Sequence, residues 1–129
     1  MATNSYKDLQ VWQRAMDVAV GVYSICSQLP KYEQFGLADQ LRRAAVSVPS
    51  NIAEGQKRTS RAETVHLTSI AQGSIAELET QLELVERIYA INTSNIRQDT
   101  EVVARMLTAL GRALRSKLQD PSSTRGARP

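Results

Sequence analysis

The chain predicts an all-α fold, an antiparallel up-down-up-down four-helix bundle, on three observations. Apolar residues recur at steps of three and four through four long segments. Ala, Leu, Gln, Glu and Arg are abundant, only 5% of residues are aromatic, and Trp and Phe occur once each, a composition of helices rather than sheets. Short stretches holding Pro, Gly, Ser or Asn join the segments, and short joints make consecutive helices antiparallel neighbours. At 129 residues one domain is expected, with the bundle spanning residues 1–119.

The first helix is predicted from about Tyr6 to Leu29. Leu9, Trp12, Met16, Ala19, Tyr23 and Cys26 form one apolar strip, and Val11, Ala15, Val18, Val22, Ile25 and Leu29 form a second beside it. Two strips mean burial on more than one side, and the surplus predicts a subunit interface. Pro30 ends the helix.

The second helix is predicted to start near Tyr32 to Phe35, pass through Gly36 and stop at Gly55 to Lys57. Leu37, Leu41, Ala44, Ala45, Val48 and Ile52 share its buried face. Pro49 lacks an amide hydrogen and crowds the carbonyl four residues back, so a kink is expected there. Asn51 and Glu54 are expected to satisfy the backbone groups that Pro49 frees, and Gly55 to stop the helix.

Ser60-Arg-Ala-Glu63 reads as a capping box opening the third and longest helix, to about Ile91. Ala71, Ile75, Leu78, Leu82, Val85 and Tyr89 mark its core face. Residues 92–95 make the next turn, with Asn95 as expected N-cap. The fourth helix carries Val103, Leu107, Leu110, Leu114 and Leu118 on one side. Residues 120–129 hold nothing to bury and are expected to form a disordered basic tail.

Several residues look familiar once placed on these helices. Asp8-Leu9 with Trp12 and Ala15, Gly36-Leu37, Gln40-Leu41-Arg42-Arg43-Ala44, and Ser47 with Pro49-Ser50-Asn51-Ile52-Ala53-Glu54-Gly55 stand in order. Ala71, Gly73-Ser74 and Glu77-Leu78-Glu79 follow. Over residues 6–118 this pattern resembles the bacterial four-helix-bundle family named after the 23S rRNA intervening-sequence proteins. The accessory protein of diversity-generating retroelements is a more distant likeness, a basic pentameric ring that contacts nucleic acid and a reverse transcriptase. The resemblance implies a homo-oligomer, with a pentamer favoured, and no established catalytic activity.

The chemistry-bearing residues support little catalysis. His66 is the single histidine, with Glu63 three residues back, and metal sites need several converging ligands. Cys26 is the single cysteine, on an apolar seam with no basic neighbour at helical spacing, and reads as core filler. No metal, cofactor or catalytic residue is therefore expected, nor a membrane span, and the location is expected to be cytoplasmic. Gly73-Ser74 are expected to permit close helix approach.

Charge is more informative. The net charge is only +3, but it is unevenly placed. Lys57, Arg58 and Arg61 cluster at one bend, and Arg112, Arg115 and Lys117 at the C-terminal end of the fourth helix, while Glu77, Glu79, Glu83 and Glu86 lie between. Both basic clusters are expected at one end of the bundle, exposed and without matched acids, as candidate nucleic-acid contacts. Arg42 and Arg43 could hold phosphate, but ion pairs with Glu77, Glu79 or Glu83 are the expectation. With no exposed aromatic platforms foreseen, binding of RNA or DNA would be electrostatic and weakly selective. The functional expectation is a non-enzymatic oligomeric adaptor that binds RNA or DNA. A protein-only scaffold is the alternative.

Overall fold

In the computed structural model, residues 5–119 are described, and the expected tail at 120–129 lies outside them. After a single 3-10 turn at Tyr6–Asp8, four helices follow: α1 Gln10–Cys26, α2 Leu37–Lys57, α3 Arg61–Tyr89 and α4 Ser94–Gln119. A second 3-10 turn, Lys31–Glu33, sits between α1 and α2. The closest packing is α2 on α3, then α3 on α4, α1 on α2 and α1 on α4. Each helix thus meets its neighbours in chain order and α1 closes on α4, which is the up-down-up-down bundle.

The buried strip of α1 is Val11, Ala15, Val18, Val22 and Ile25. These meet Leu41, Ala44, Ala45 and Val48 of α2, Ile75, Leu78, Leu82 and Val85 of α3, and Val103 and Leu107 of α4 in one core. The other strip of α1 is only half covered, and Met16 and Tyr23 on it stay exposed beside Val20. Gly21 lets α4 come close: a Cβ there would stand 2.8 Å from Ile96 Cδ1. Nothing in the apolar periodicity announces that approach.

Helix ends depart from expectation where local backbone chemistry overrules periodicity. The first helix is shorter at both ends, because Leu9 is extended and Ser27 already turns before Pro30. Gly36 lies outside α2 as its N-cap, and the Glu33 carboxylate does the capping by accepting the Leu37 amide at 3.0 Å. The helix runs on across Pro49 to Lys57, so Gly55 is not its stop. Gly55 is buried, and its carbonyl accepts the Thr64 hydroxyl at 2.9 Å, tying the last turn of α2 to the first of α3. Ser60 caps α3 as expected, its Oγ accepting the Glu63 amide at 3.3 Å. Asn95 is inside α4 rather than its cap; Asn92 Oδ1 accepts the Ser94 amide at 2.9 Å.

Asn51 reaches back to Ser47, donating to its carbonyl at 2.8 Å and its Oγ at 3.0 Å. That carbonyl is not the one Pro49 deprives, which belongs to Ala45, so the anticipated repair is absent for a geometric reason: Asn51 reaches one turn back along its own face. Glu54 is likewise engaged elsewhere, with Arg58. Ser47 Oγ also meets Ser74 Oγ at 2.7 Å across the α2–α3 seam. Ser74 is therefore the close-approach residue, and Gly73 is not, because a Cβ at Gly73 would meet nothing within 4 Å.

Two positions carry the wrong backbone preference. Gly73 weakens an exposed mid-helix site, and Ala90 ends α3 at φ 56°, the left-handed region that costs a side-chain-bearing residue about 1–2 kcal/mol. Gly73→Ala should stabilise the fold by about 0.5–1 kcal/mol, and Ala90→Gly by a similar amount. Urea unfolding of each variant checks both; a loss of stability in either would show that the position is covered in solution.

Candidate functional site

Antiparallel packing brings the α2–α3 turn and the C-terminal end of α4 together. The link is direct, since Arg115 Nη2 on α4 donates to Ser69 Oγ near the start of α3 at 3.1 Å. This end of the bundle gathers Lys7, Arg14, Lys57, Arg58, Arg61, Arg112, Arg115 and Lys117, against the acids Asp8, Glu54 and Glu63. A net positive charge at one end sets up a field that attracts polyanions.

The basic side chains are not equivalent. Arg58 is paired with Glu54, one turn back on α2, which corrects the expectation that the bend lacks matched acids. Glu one turn before Arg on a helix places the two side chains within reach and favours an ion pair. Arg61 is half-buried and engaged. Lys57, Arg112, Arg115 and Lys117 are exposed and have no ion-pair partner among the described residues. Arg112 and Arg115 border an open hollow of about 300 Å³ with Thr108, Ser116 and Gln119.

Arg42 and Arg43 do not pair with the third helix. Arg42 donates to the Gln34 carbonyl at 3.0 Å, and Arg43 Nε to Asp39 Oδ2 at 2.9 Å. The expected partners are occupied: Glu77 accepts from Gln81 at 3.2 Å, and Glu83 pairs with Arg87. Arg42 lies against Cys26 of α1, a neighbour the helical spacing of α1 could not reveal. Burial still dominates and pushes the Cys26 thiol above its ordinary value, against the opposing pull of Arg42. Its Sγ contacts the Ala38 carbonyl at 3.6 Å.

The opposite end mixes both signs, with Glu33, Asp39, Glu83, Glu86, Asp99 and Glu101 against Lys31, Arg42, Arg43, Arg87 and Arg97, and it carries features that periodicity does not announce. A cleft of about 370 Å³ between α3 and α4 holds Glu79, Glu83 and Glu101 with Arg97. Burial, and then the Glu101 charge, hold the Glu79 carboxyl above its usual range. Beside the α1–α2 connection, Tyr32 and Phe35 are 77% and 87% exposed, so exposed aromatics exist after all. They stand out because Glu33 between them is pinned, capping Leu37 and accepting the hydroxyl of Tyr89. They lie far from the basic end, whose own aromatics are Tyr6 and Trp12, half-buried with ring centroids 5.4 Å apart. His66 is exposed, and no group of three or more His, Cys, Asp or Glu among the described residues could hold a metal ion. No helix among those residues is long and apolar enough to cross a membrane.

Two carboxylates at this end tie helix ends together and give the fold a pH response. The Tyr89 hydroxyl and then the Leu37 amide hold Glu33 below the usual carboxylate range. For Glu86 the causes are the Thr93 hydroxyl at 2.8 Å, its amide at 3.1 Å, and Arg97. A lowered folded pKa means stability present above the unfolded value of about 4.3 and lost as pH falls through the folded one. Glu79 has the opposite sign and offsets part of the loss. Wild type should therefore be less stable at about pH 3 than at pH 7, and Glu86→Gln should show a smaller difference between the two in urea unfolding. An unchanged difference in Glu86→Gln would remove the cap from the explanation.

Comparison with known proteins places this geometry. None of the curated proteins matches the chain. A solved structure of a protein of unknown function from the S23 ribosomal protein family of Bacteroides thetaiotaomicron superposes with a TM-score of 0.73. It is 24% identical, with 79% of this chain and 95% of that one covered, and supports the fold alone. The family description "23S rRNA-intervening sequence protein" matches residues 7–109, from the first 3-10 turn into α4. That span takes in α1, α2, α3, the larger part of α4 and the Arg42-to-Gly55 motif, stopping short of Arg112, Arg115 and Lys117, and the chain belongs to the 23S rRNA-intervening sequence protein family.

Proposed function

We propose that the protein binds RNA or DNA electrostatically through the basic end of its bundle, as a non-enzymatic cytoplasmic adaptor within a larger complex. The observation that carries this reading is the grouping of Arg112, Arg115, Lys117 and Lys57 at one end, none of them ion-paired among the described residues. Unneutralised cations on a rigid surface release counterions from a phosphate backbone, and that release drives sequence-independent binding. The aromatics at that end, Tyr6 and Trp12, are half-buried and packed edge to face on each other, so charge rather than base stacking dominates and selectivity is low. The opposite end nearly balances its charges, so the protein meets a polyanion basic end first.

Self-association accompanies this reading. Met16, Val20 and Tyr23 form an exposed apolar stripe on α1, and Leu84 and Ile88 another on α3. Two unlike stripes suit a head-to-tail interface that closes into a ring, and the five-membered ring implied by the resemblance would repeat the basic end in each subunit. A monomeric mass by light scattering would refute it. The protein-only scaffold draws its support from Tyr32 and Phe35, aromatic side chains of the kind that anchor protein interfaces.

The test is fluorescence anisotropy of nuclease-treated protein with labelled RNA and DNA across a salt series. The logarithm of affinity is expected to fall linearly with that of salt, by about 0.9 per neutralised phosphate on duplex DNA and about 0.7 on single strands. Absence of binding at low salt would refute the nucleic-acid reading and leave the scaffold.

A further inference from the structure

We propose that the hollow on the last three turns of α4 takes one phosphate group, with Arg112 and Arg115 as its cationic walls and Ser69 anchoring Arg115 over Gly111. The inference rests on the nucleic-acid reading for the source of that phosphate, and on the geometry of the hollow for the site itself.

A long arginine side chain on a helix surface is ordinarily free to swing. Arg115 is fixed by one hydrogen bond and packs over one open helix position. Its Nη2 donates to Ser69 Oγ at 3.1 Å, across to α3. Its Nη1 lies over Gly111, so close that a Cβ built there would stand 3.2 Å from it and 3.4 Å from Gln72 Oε1. Gly111 is buried beneath that side chain in a helix where alanine would otherwise be favoured. The hydrogen bond to Ser69 biases the guanidinium toward this position, and most of its five N–H donors remain free, since Ser69 engages one terminal nitrogen. A planar fork placed in this way matches phosphate oxygens.

Arg112 lines the same hollow one turn earlier and has no ion-pair partner among the described residues. The Thr108 hydroxyl donates to the Ala104 carbonyl at 3.0 Å, so it lines the hollow without offering a proton. Ser116 and Gln119 supply neutral donors. One effect opposes the site: the C-terminal end of a helix carries negative partial charge and disfavours anions. The two guanidiniums must supply the attraction, so free phosphate should bind weakly and a phosphate within a polyanion strongly.

The experiment has two arms on the full chain. Inorganic phosphate is titrated into ¹⁵N-labelled protein while the arginine Nε signals are followed. Arg112 and Arg115 are expected to shift together and saturate, with Arg87 at the opposite end unmoved; no shift overturns the site. Anisotropy with RNA and DNA then compares Arg115→Gln, Gly111→Ala and, as a control at the opposite end whose affinity should match wild type, Arg87→Gln. Arg115→Gln should lower the salt slope by about 1. Gly111→Ala, which removes no charge, should push Nη1 away by a few tenths of an ångström and weaken binding by less than Arg115→Gln does. An unaltered affinity in Gly111→Ala, with circular dichroism intact, overturns the placement of Arg115.

A 5′-phosphorylated and a 5′-hydroxyl form of one oligonucleotide separate a terminal phosphate from the internal backbone as the source. If wild type binds no nucleic acid while phosphate still shifts the two arginines, the function reading fails and the hollow stands as a site for a smaller phosphate ligand. If nucleic acid binds and neither phosphate nor Gly111→Ala has an effect, the hollow fails alone.

Discussion

Arg112, Arg115 and Lys117 reversed together to Glu are expected to abolish nucleic-acid binding while leaving the bundle folded. The three side chains are exposed, so no core packing is lost. Each reversal exchanges an attraction to phosphate for a repulsion. Three lost charge-assisted contacts alone would weaken binding by about a hundredfold or more, and repulsion adds to that. Acidic residues in the last turn of a helix also oppose its dipole, so some fraying of α4 near Gln119 is expected in circular dichroism. Reversal of Lys57, Arg58 and Arg61 should act in the same direction but less strongly per residue, because Arg58 is already balanced by Glu54 and Arg61 is half-buried. Anisotropy at low salt measures both triples. Equal affinity of the α4 triple and wild type would remove this end of the bundle as the binding surface.

Leu82→Ala should give the largest loss of stability, about 3 kcal/mol and within the 2–5 kcal/mol typical of buried leucine truncation. Leu82 is fully buried in the core shared by the four helices. The cavity would be lined by side chains on rigid helices that cannot collapse into it, so both transfer and cavity contributions apply. A domain of this size is commonly stable by only about 5–15 kcal/mol, and the variant should show a clearly lower urea midpoint. Leu84→Ala, two residues on, provides the contrast, because Leu84 is exposed on the outer stripe of α3. In an isolated bundle that change should cost less than about 0.5 kcal/mol. A larger cost that grows with protein concentration would identify the stripe as part of a subunit interface.

Much of the candidate site was legible as charge. Lys57, Arg112, Arg115 and Lys117 are exposed at one end, where helix lengths and short turns required them to be. What was not legible was which cations are free. Glu54 precedes Arg58 by one turn, a pairing that spacing alone could have suggested. The Arg42 contact with the Gln34 carbonyl depends on how the residue 30–36 connection folds back over α2, which no periodicity encodes. The same connection hid Tyr32 and Phe35: a helix extended through that stretch would have buried or dispersed them, whereas Glu33 breaks it and props them outward.

The sequence by itself determined the helices, their order and their inward faces. Those follow from the 3.6-residue period and from local stop signals, which act within a few residues and need no knowledge of neighbours. Ala71, Leu78, Leu82, Val103 and Leu107 are buried as their spacing demanded. Only the tertiary structure decided how near the helices come and what their polar side chains touch. Gly21 against Ile96, Thr64 on Gly55, Ser47 on Ser74, and Arg115 across Gly111 to Ser69 are all contacts between residues far apart in the chain or lying across a helix surface. Their geometry depends on interhelical distance to within an ångström, and hydrogen bonds are made or lost over that range. Apolar burial tolerates such shifts because it is non-directional. That difference is why the core could be read along the chain, while the site had to be read across it.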